Sequence, residues 1–204
     1  MMPSVWDYSS WRPSDAMLAA ANIEGVSRYL CFPDTNFNKA KRLLKPEFDH
    51  LIALGHTVLL NWEQAGGSWM NGYPLGRIHG TEARKQVRAL GVPDHHTIVQ
   101  SVDTNAHPDL YGVALEYQQG FNDGGGVGPQ GMYGTDGVLR QAWSKGLIVV
   151  AWQTMSRGWY NNANDCPHAG LIQRTNHGTF DRNDVMAPHW GAVNECLFGY
   201  RCRP

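Results

Sequence analysis

The chain has 204 residues, with 17 Lys+Arg against 18 Asp+Glu and a formal net charge of −1. That length fits one large domain or two small ones, and the charge balance lacks the basic excess expected of a nucleic-acid binder, so nucleic acid is set aside as a partner. No apolar run approaches the ~20 residues of a membrane span, so no membrane partner is expected, and no charged and apolar leader of the secretory kind precedes Val5.

In chain order, Val5 to Ser9 reads as a first strand. Ser14 caps a helix running to about Glu24, with Gly25 as its stop. Val26 to Cys31 is a second strand, and a polar loop from Pro33 to Asn38 leads to a helix from Pro46 to Gly55 with Phe48, Leu51 and Ile52 on one face. Thr57 to Glu63 is a third strand, apolar until its end. Ala65 to Gly76 is a glycine-rich loop carrying Trp69 and Tyr73. A helix from Thr81 to Leu90 buries Ala83, Val87 and Leu90 and stops at Gly91-Val-Pro93.

Thr97 to Asp103 is a fourth strand, and Pro108 opens a helix with Leu110, Ala114 and Tyr117 at helical spacing. The glycine-rich Asn122 to Gly128 is expected to be a loop before a short fifth strand ending at Tyr133. Thr135 caps a helix whose buried side carries Leu139, Ala142 and Trp143, and Gly146 ends it. Leu147 to Thr154 is a sixth strand, Met155 to His168 a long loop, Ala169 to Thr175 a seventh strand, and Phe180 to Met186 a weaker eighth.

Strands alternating with helices call for a parallel sheet covered by helices. Eight candidate strands over residues 1–204 predict a single α/β domain, a small (β/α)8 barrel. This is near that fold's lower limit of about 200 residues, so its late helices should be short or missing. The glycine motifs of nucleotide-binding sheets are absent, as is G-x-S-x-G.

Active sites of such barrels lie at the C-terminal strand ends. That rule selects Asp7, Glu63, Asp103, Tyr133, Gln153, Gln173 and Asp181. Several acids around one mouth suit glycoside cleavage, in which a protonated carboxyl donates to the leaving oxygen and an ionised one acts on the sugar or on water. Glu63, beside Trp62, is the expected acid, with Asp103 and Asp7 competing for the ionised role. Each Asp could instead cap a helix, whereas Glu caps poorly. Trp62, Trp69 and Tyr73 are candidate sugar contacts.

No cofactor or catalytic metal is expected. The nine histidines include no H-E-x-x-H, His95 and His96 are adjacent, and His168, His177 and His189 match no common spacing. Cys31 is expected in a buried strand. Cys196 and Cys202 could pair, but free thiols in a reducing compartment are the favoured reading.

The succession Trp-Asp7-Tyr-Ser, Ser-Arg-Tyr29-Leu, Lys-Pro-Glu47, Ala-Leu-Gly55, Asn-Trp-Glu63, Gly72-Tyr-Pro-Leu-Gly76 and Leu-Gly91-Val-Pro followed by Ser-Val-Asp103 resembles one known family. It is the glycoside-hydrolase-like TIM-barrel domain of unknown function found in actinobacterial cell-wall proteins and phage lysins, related in plan to family 25 lysozymes. The resemblance implies a barrel acting on peptidoglycan glycan strands, with Asp7, Glu63 and Asp103 at matching positions. The expected protein is then a lysozyme-like phage endolysin domain, held in the host cytoplasm until release or carried on the virion. One departure stands out. Family 25 lysozymes carry Asp-x-Glu at the end of strand four, and here that place reads Asp103-Thr-Asn105. Glu63 must therefore supply the proton, or the pocket is a glycan-binding module that does not cut. A metal-dependent amidase or peptidase is a third reading.

Overall fold

The computed structural model describes residues 3–187 together with Trp190 and Gly191. Short runs of alternating inward and outward side chains form β1 (Ser4–Asp7), β2 (Gly25–Leu30), β3 (Thr57–Trp62), β4 (Val99–Ser101), β5 (Gln130–Gly134), β6 (Ile148–Gln153), β7 (Ala169–Asn176) and β8 (Asp181–Val185). They close into one barrel in sequence order. The helices are α1 (Asp15–Ala21), α2 (Asn36–Lys41), α3 (Lys45–Ala53), α4 (Gly72–Ala89), α5 (Tyr111–Gly125) and α6 (Asp136–Ser144), with 3-10 turns at Ser68–Asn71 and Pro108–Leu110. Among the described residues, no helix separates β6 from β7 or β7 from β8, as the chain length led one to expect.

Residue parity decides where each strand side chain goes, because successive side chains point to opposite faces. Val5, Leu59, Val99 and Leu171 pack inside the barrel with Trp152. Their neighbours Val26, Leu30, Val58 and Leu60 face outward and meet Phe48, Leu51 and Val87 of the helices. Met132, Ala151 and Ile172 do the same beneath α5 and α6.

Four expectations are corrected. The loop from Pro33 to Asn38 contains the start of α2, because the Thr35 side chain accepts the Asn38 N–H at 3.0 Å and caps it. The first helix ends at Ala21, where Asn22 takes up a left-handed conformation (φ 48°), and Gly25 instead opens β2. Trp143 is 37% exposed rather than buried, and it stacks on His168.

The fourth correction concerns the two glycine-rich "loops", which are helical in part: α4 begins at Gly72 and α5 continues to Gly125, leaving only 65–67 and 126–128 outside any helical turn. Glycine weakens an isolated helix, but here it lets two helix backbones touch. A Cβ on Gly76 would lie 2.1 Å from the Tyr117 carbonyl oxygen, and one on Gly120 would lie 2.2 Å from that of Tyr73. Gly80 and Gly124 are equally close to Phe121 O and Arg77 O. Tertiary packing overrides the local propensity.

The eighth strand also departs from a uniformly parallel barrel. It runs antiparallel to both β7 and β1. Its N-terminal residue, Asp181, therefore reaches the same rim as the C-terminal residue of β1, Asp7, with which it is in register. Cys31 and Cys166 are buried free thiols, while Cys196, Cys202 and His189 lie outside the described residues.

Candidate active site

The C-terminal rim encloses a cavity of about 220 Å³. Inward parity brings Asp7 and Tyr29 to it from β1 and β2, and Glu63 and Asp103 from just beyond β3 and β4. Tyr133, Gln173 and Asp181 complete the acidic wall. On the floor, Ser101 Oγ donates to Asn61 Oδ1 at 3.0 Å. The strand-end rule selects seven residues from the sequence, and six of them meet here.

The exception is Gln153. It has 0% exposure and faces outward, since its neighbour Trp152 faces in. Its amide donates to Asn162 Oδ1 and Asn164 O and accepts from the Cys166 N–H, which pins the β6–β7 loop. The three aromatic sugar contacts are likewise placed elsewhere. Trp62 cannot share the cavity with Glu63, because adjacent residues point oppositely; it is buried against Phe32, His79 and Phe121. Trp69 is buried and donates its indole N–H to Thr104 Oγ1 at 3.1 Å. Tyr73 sits on α4 and donates to Asp123 Oδ2 at 2.8 Å. The tryptophans that do line the cavity are Trp152 and Trp159, beside Tyr29 and Tyr133. Trp152 was readable from its parity with Val150; Trp159 lies in an aperiodic loop.

The carboxyls have distinct surroundings. Glu63 Oε1 accepts from Lys41 Nζ at 2.5 Å, and that ammonium lies 4.3 Å from the centre of the Tyr29 ring. Burial, followed by the nearby charge of Glu63, lifts the Asp103 carboxyl to about 6, with Lys41 offsetting part of the rise. Asp7 is pushed well above the usual carboxylate range by burial and by Asp181, although Tyr29 OH donates to its Oδ2 at 2.9 Å. Burial also raises Asp181, whose Oδ2 accepts from Gln173 Nε2 at 2.6 Å. Gln173 Oε1 in turn accepts from Tyr133 OH at 2.9 Å. The cavity thus holds one carboxylate paired with a buried ammonium beside carboxyls biased toward the neutral form, which is the division of labour that acid-assisted cleavage needs. Among the described residues no group of three or more His, Cys, Asp or Glu side chains is arranged to hold a metal ion.

Residues 16–194 match the Rv2525c-like, glycoside hydrolase-like domain. The chain belongs to that family. Comparison with curated proteins gives no match. Among solved structures, the Tat-secreted protein Rv2525c of Mycobacterium tuberculosis, crystallised with L-tartrate, is 22% identical, with 94% of this chain and 99% of that one covered and a TM-score of 0.81. A family 25 glycosyl hydrolase from Bacillus anthracis is 13% identical over 96% and 91% of the two chains, with a TM-score of 0.57. The modular autolysin LytC of Streptococcus pneumoniae, in complex with a synthetic peptidoglycan ligand, is 14% identical over 89% of this chain and 46% of that one, with a TM-score of 0.58. The glycoside hydrolase-like fold is therefore shared with a family 25 glycosyl hydrolase and with the autolysin LytC, as the sequence resemblance implied.

Within this family fold, Asn105 serves a different purpose from a second strand-four acid. Its Oδ1 accepts the backbone N–H of Tyr160 at 2.8 Å and ties down the β6–β7 loop that carries Trp159. Sequence reasoning missed Lys41 and gave Tyr29 no role. Tyr29 could have been found from its inward parity with Ser27. Lys41 carried no such signal, because it arrives from a short helix hidden in a polar loop.

Proposed function

We propose that the domain is a glycosidase acting on the glycan strands of bacterial peptidoglycan by carboxylate chemistry. The observation that carries this reading is the contrast in one cavity between Asp103, lifted to about 6, and Glu63, paired with Lys41. It favours the reverse of the assignment expected from sequence. Asp103 serves as the acid that protonates the leaving glycosidic oxygen, while ionised Glu63 faces the positive charge developing on the sugar. Asp7, oriented by Tyr29, binds the sugar beside them, and Trp159 and Trp152 supply apolar surface for the ring.

The sharing of a fold with LytC, which was crystallised with a peptidoglycan ligand, supports the substrate class. The Tat-secreted relative supports work at the cell envelope after export; release from a phage-infected host is the alternative route to the same wall. The test is a reducing-end and muropeptide mass assay on purified actinobacterial peptidoglycan, run beside Glu63→Gln. New reducing ends from the unmodified chain alone support the assignment, and full activity in the variant would sink it.

A second reading, a glycan-binding module that does not cut, is favoured by Asn105, which stands where family 25 lysozymes have an acid and which is committed to the Tyr160 backbone. Binding without new reducing ends selects that reading.

A further inference from the structure

Asp7 and Asp181 face one another across the β1–β8 ladder. Each has one oxygen already engaged, Asp7 Oδ2 by Tyr29 and Asp181 Oδ2 by Gln173. The other oxygen of each, Oδ1, is buried without a hydrogen-bond partner. Asp7 as a whole is only 5% exposed. Buried carboxylate oxygens are rarely left unpaired, because an unmet acceptor has lost its water without gaining a partner.

These two residues, with Tyr29 and Asn176, also line a second cavity of about 150 Å³ beside the main one. Its far wall is formed by Ser9, Thr179 and Phe180. The charges around it are committed elsewhere. Arg28 donates to Glu47 and to the Tyr8 carbonyl, Lys41 pairs with Glu63, and Glu63 itself adds negative potential at Asp7. His177 stacks on Phe180 and contacts Thr175 Oγ1. The cavity thus offers carboxyl acceptors that no Lys or Arg pairs with; the donors around it are neutral, the Asn176 amide that bonds Asp181 and the Ser9 and Thr179 hydroxyls, with His177 the nearby titratable group that favours ionised Asp181.

We propose that this side cavity is a subsite for a primary ammonium group carried by the substrate, the exposed amine of an amino sugar that has lost its N-acetyl group. The inference rests on the glycan-acting reading above and names its substrate class. An ammonium brings three N–H donors, enough for both orphan oxygens, together with a compensating charge. An N-acetyl group brings one N–H and adds a carbonyl oxygen, which would face the two carboxyls, and a methyl group in a small polar space. The amine of a wall stem peptide has the same chemistry. The shared cavity wall favours the sugar, whose amine lies one bond from the ring that the acids act upon.

The test is calorimetric titration of the full chain with β-linked glucosamine oligomers, with N-acetylglucosamine oligomers of equal length, and with an amine-bearing stem peptide. Glucosamine oligomers should bind at least about tenfold tighter than the acetylated ones, and Asp181→Asn should remove the preference. A second measurement needs no variant. Titration in two buffers of different ionisation heat should reveal proton release on binding, because Asp7 and Asp181 are raised toward the neutral form and an ammonium favours their ionised form. Equal affinity for the two oligomers, or preference for the peptide, overturns the sugar-amine assignment. Cleavage is measured in parallel. Cutting of acetylated glycan without amine preference removes this inference and keeps the hydrolase reading. Amine preference without any cutting keeps the subsite and makes the domain a binding module.

Discussion

Lys41 Nζ lies 2.5 Å from Glu63 Oε1, and only 3% of the lysine side chain is exposed. The glutamate retains 18% exposure on the cavity side. A buried cation is thus held behind the carboxylate while the carboxylate itself faces the cavity. Breaking such a pair leaves an uncompensated charge, which costs more than the pair itself contributes. Lys41→Met should lower unfolding free energy by about 2–4 kcal/mol in chemical denaturation. Adding Glu63→Gln to that variant should restore part of the loss. Additive effects of the two changes would show that the residues are not coupled.

The pH behaviour follows from Asp103. Its carboxyl is held at about 6 in the folded chain, against an ordinary 3.8. Protonated Asp103 therefore favours the fold. That contribution is complete below 3.8 and is lost as pH rises through about 6. Asp103→Asn should stabilise the chain above pH 6 by about 1–3 kcal/mol and should leave stability near pH 3.5 almost unchanged. If Asp103 is the acid, cleavage by the unmodified chain should also decline above about pH 6, approaching tenfold per pH unit. A rate that rises through that range would assign the proton to another group.

The glycine contacts between α4 and α5 give a paired stability test. Gly120→Ala puts a methyl group 2.2 Å from the Tyr73 carbonyl oxygen, so the helices must separate. The expected cost is about 2–4 kcal/mol, read from the denaturation midpoint. Gly112→Ala lies in the same helix and meets nothing within 4 Å. It should stabilise by about 0.5–1 kcal/mol through helix propensity and reduced unfolded-state freedom.

Asn105→Ala should act on binding more than on chemistry. It removes the acceptor for the Tyr160 N–H and frees the loop that presents Trp159. Because that N–H is near solvent, global stability should change by less than about 1 kcal/mol. On an active glycosidase, KM should rise several-fold while kcat holds. A fall in kcat at constant KM would place Asn105 among the groups that act on the transition state.

Much of this site could be read along the chain. Asp7, Glu63 and Asp103 each end an apolar alternating run, and the alternation that turns Glu63 inward also turns Trp62 outward. That parity was available in the sequence and argues against Trp62 as a sugar contact. The glycine-rich stretches misled for a different reason. Local propensity favours loops there, whereas the gain from two helix backbones in contact exists only once both helices are present.

The sequence by itself determined the barrel class, the number of strands and the acids at their ends, because these follow from side-chain periodicity within about ten residues of chain. Tertiary structure alone decided the direction of β8, the arrival of Lys41 behind Glu63 and the facing orphan oxygens of Asp7 and Asp181. Each of those depends on partners far apart in sequence, 22 residues for Lys41 and Glu63. Charge pairing and desolvation act through space, so no local pattern records them.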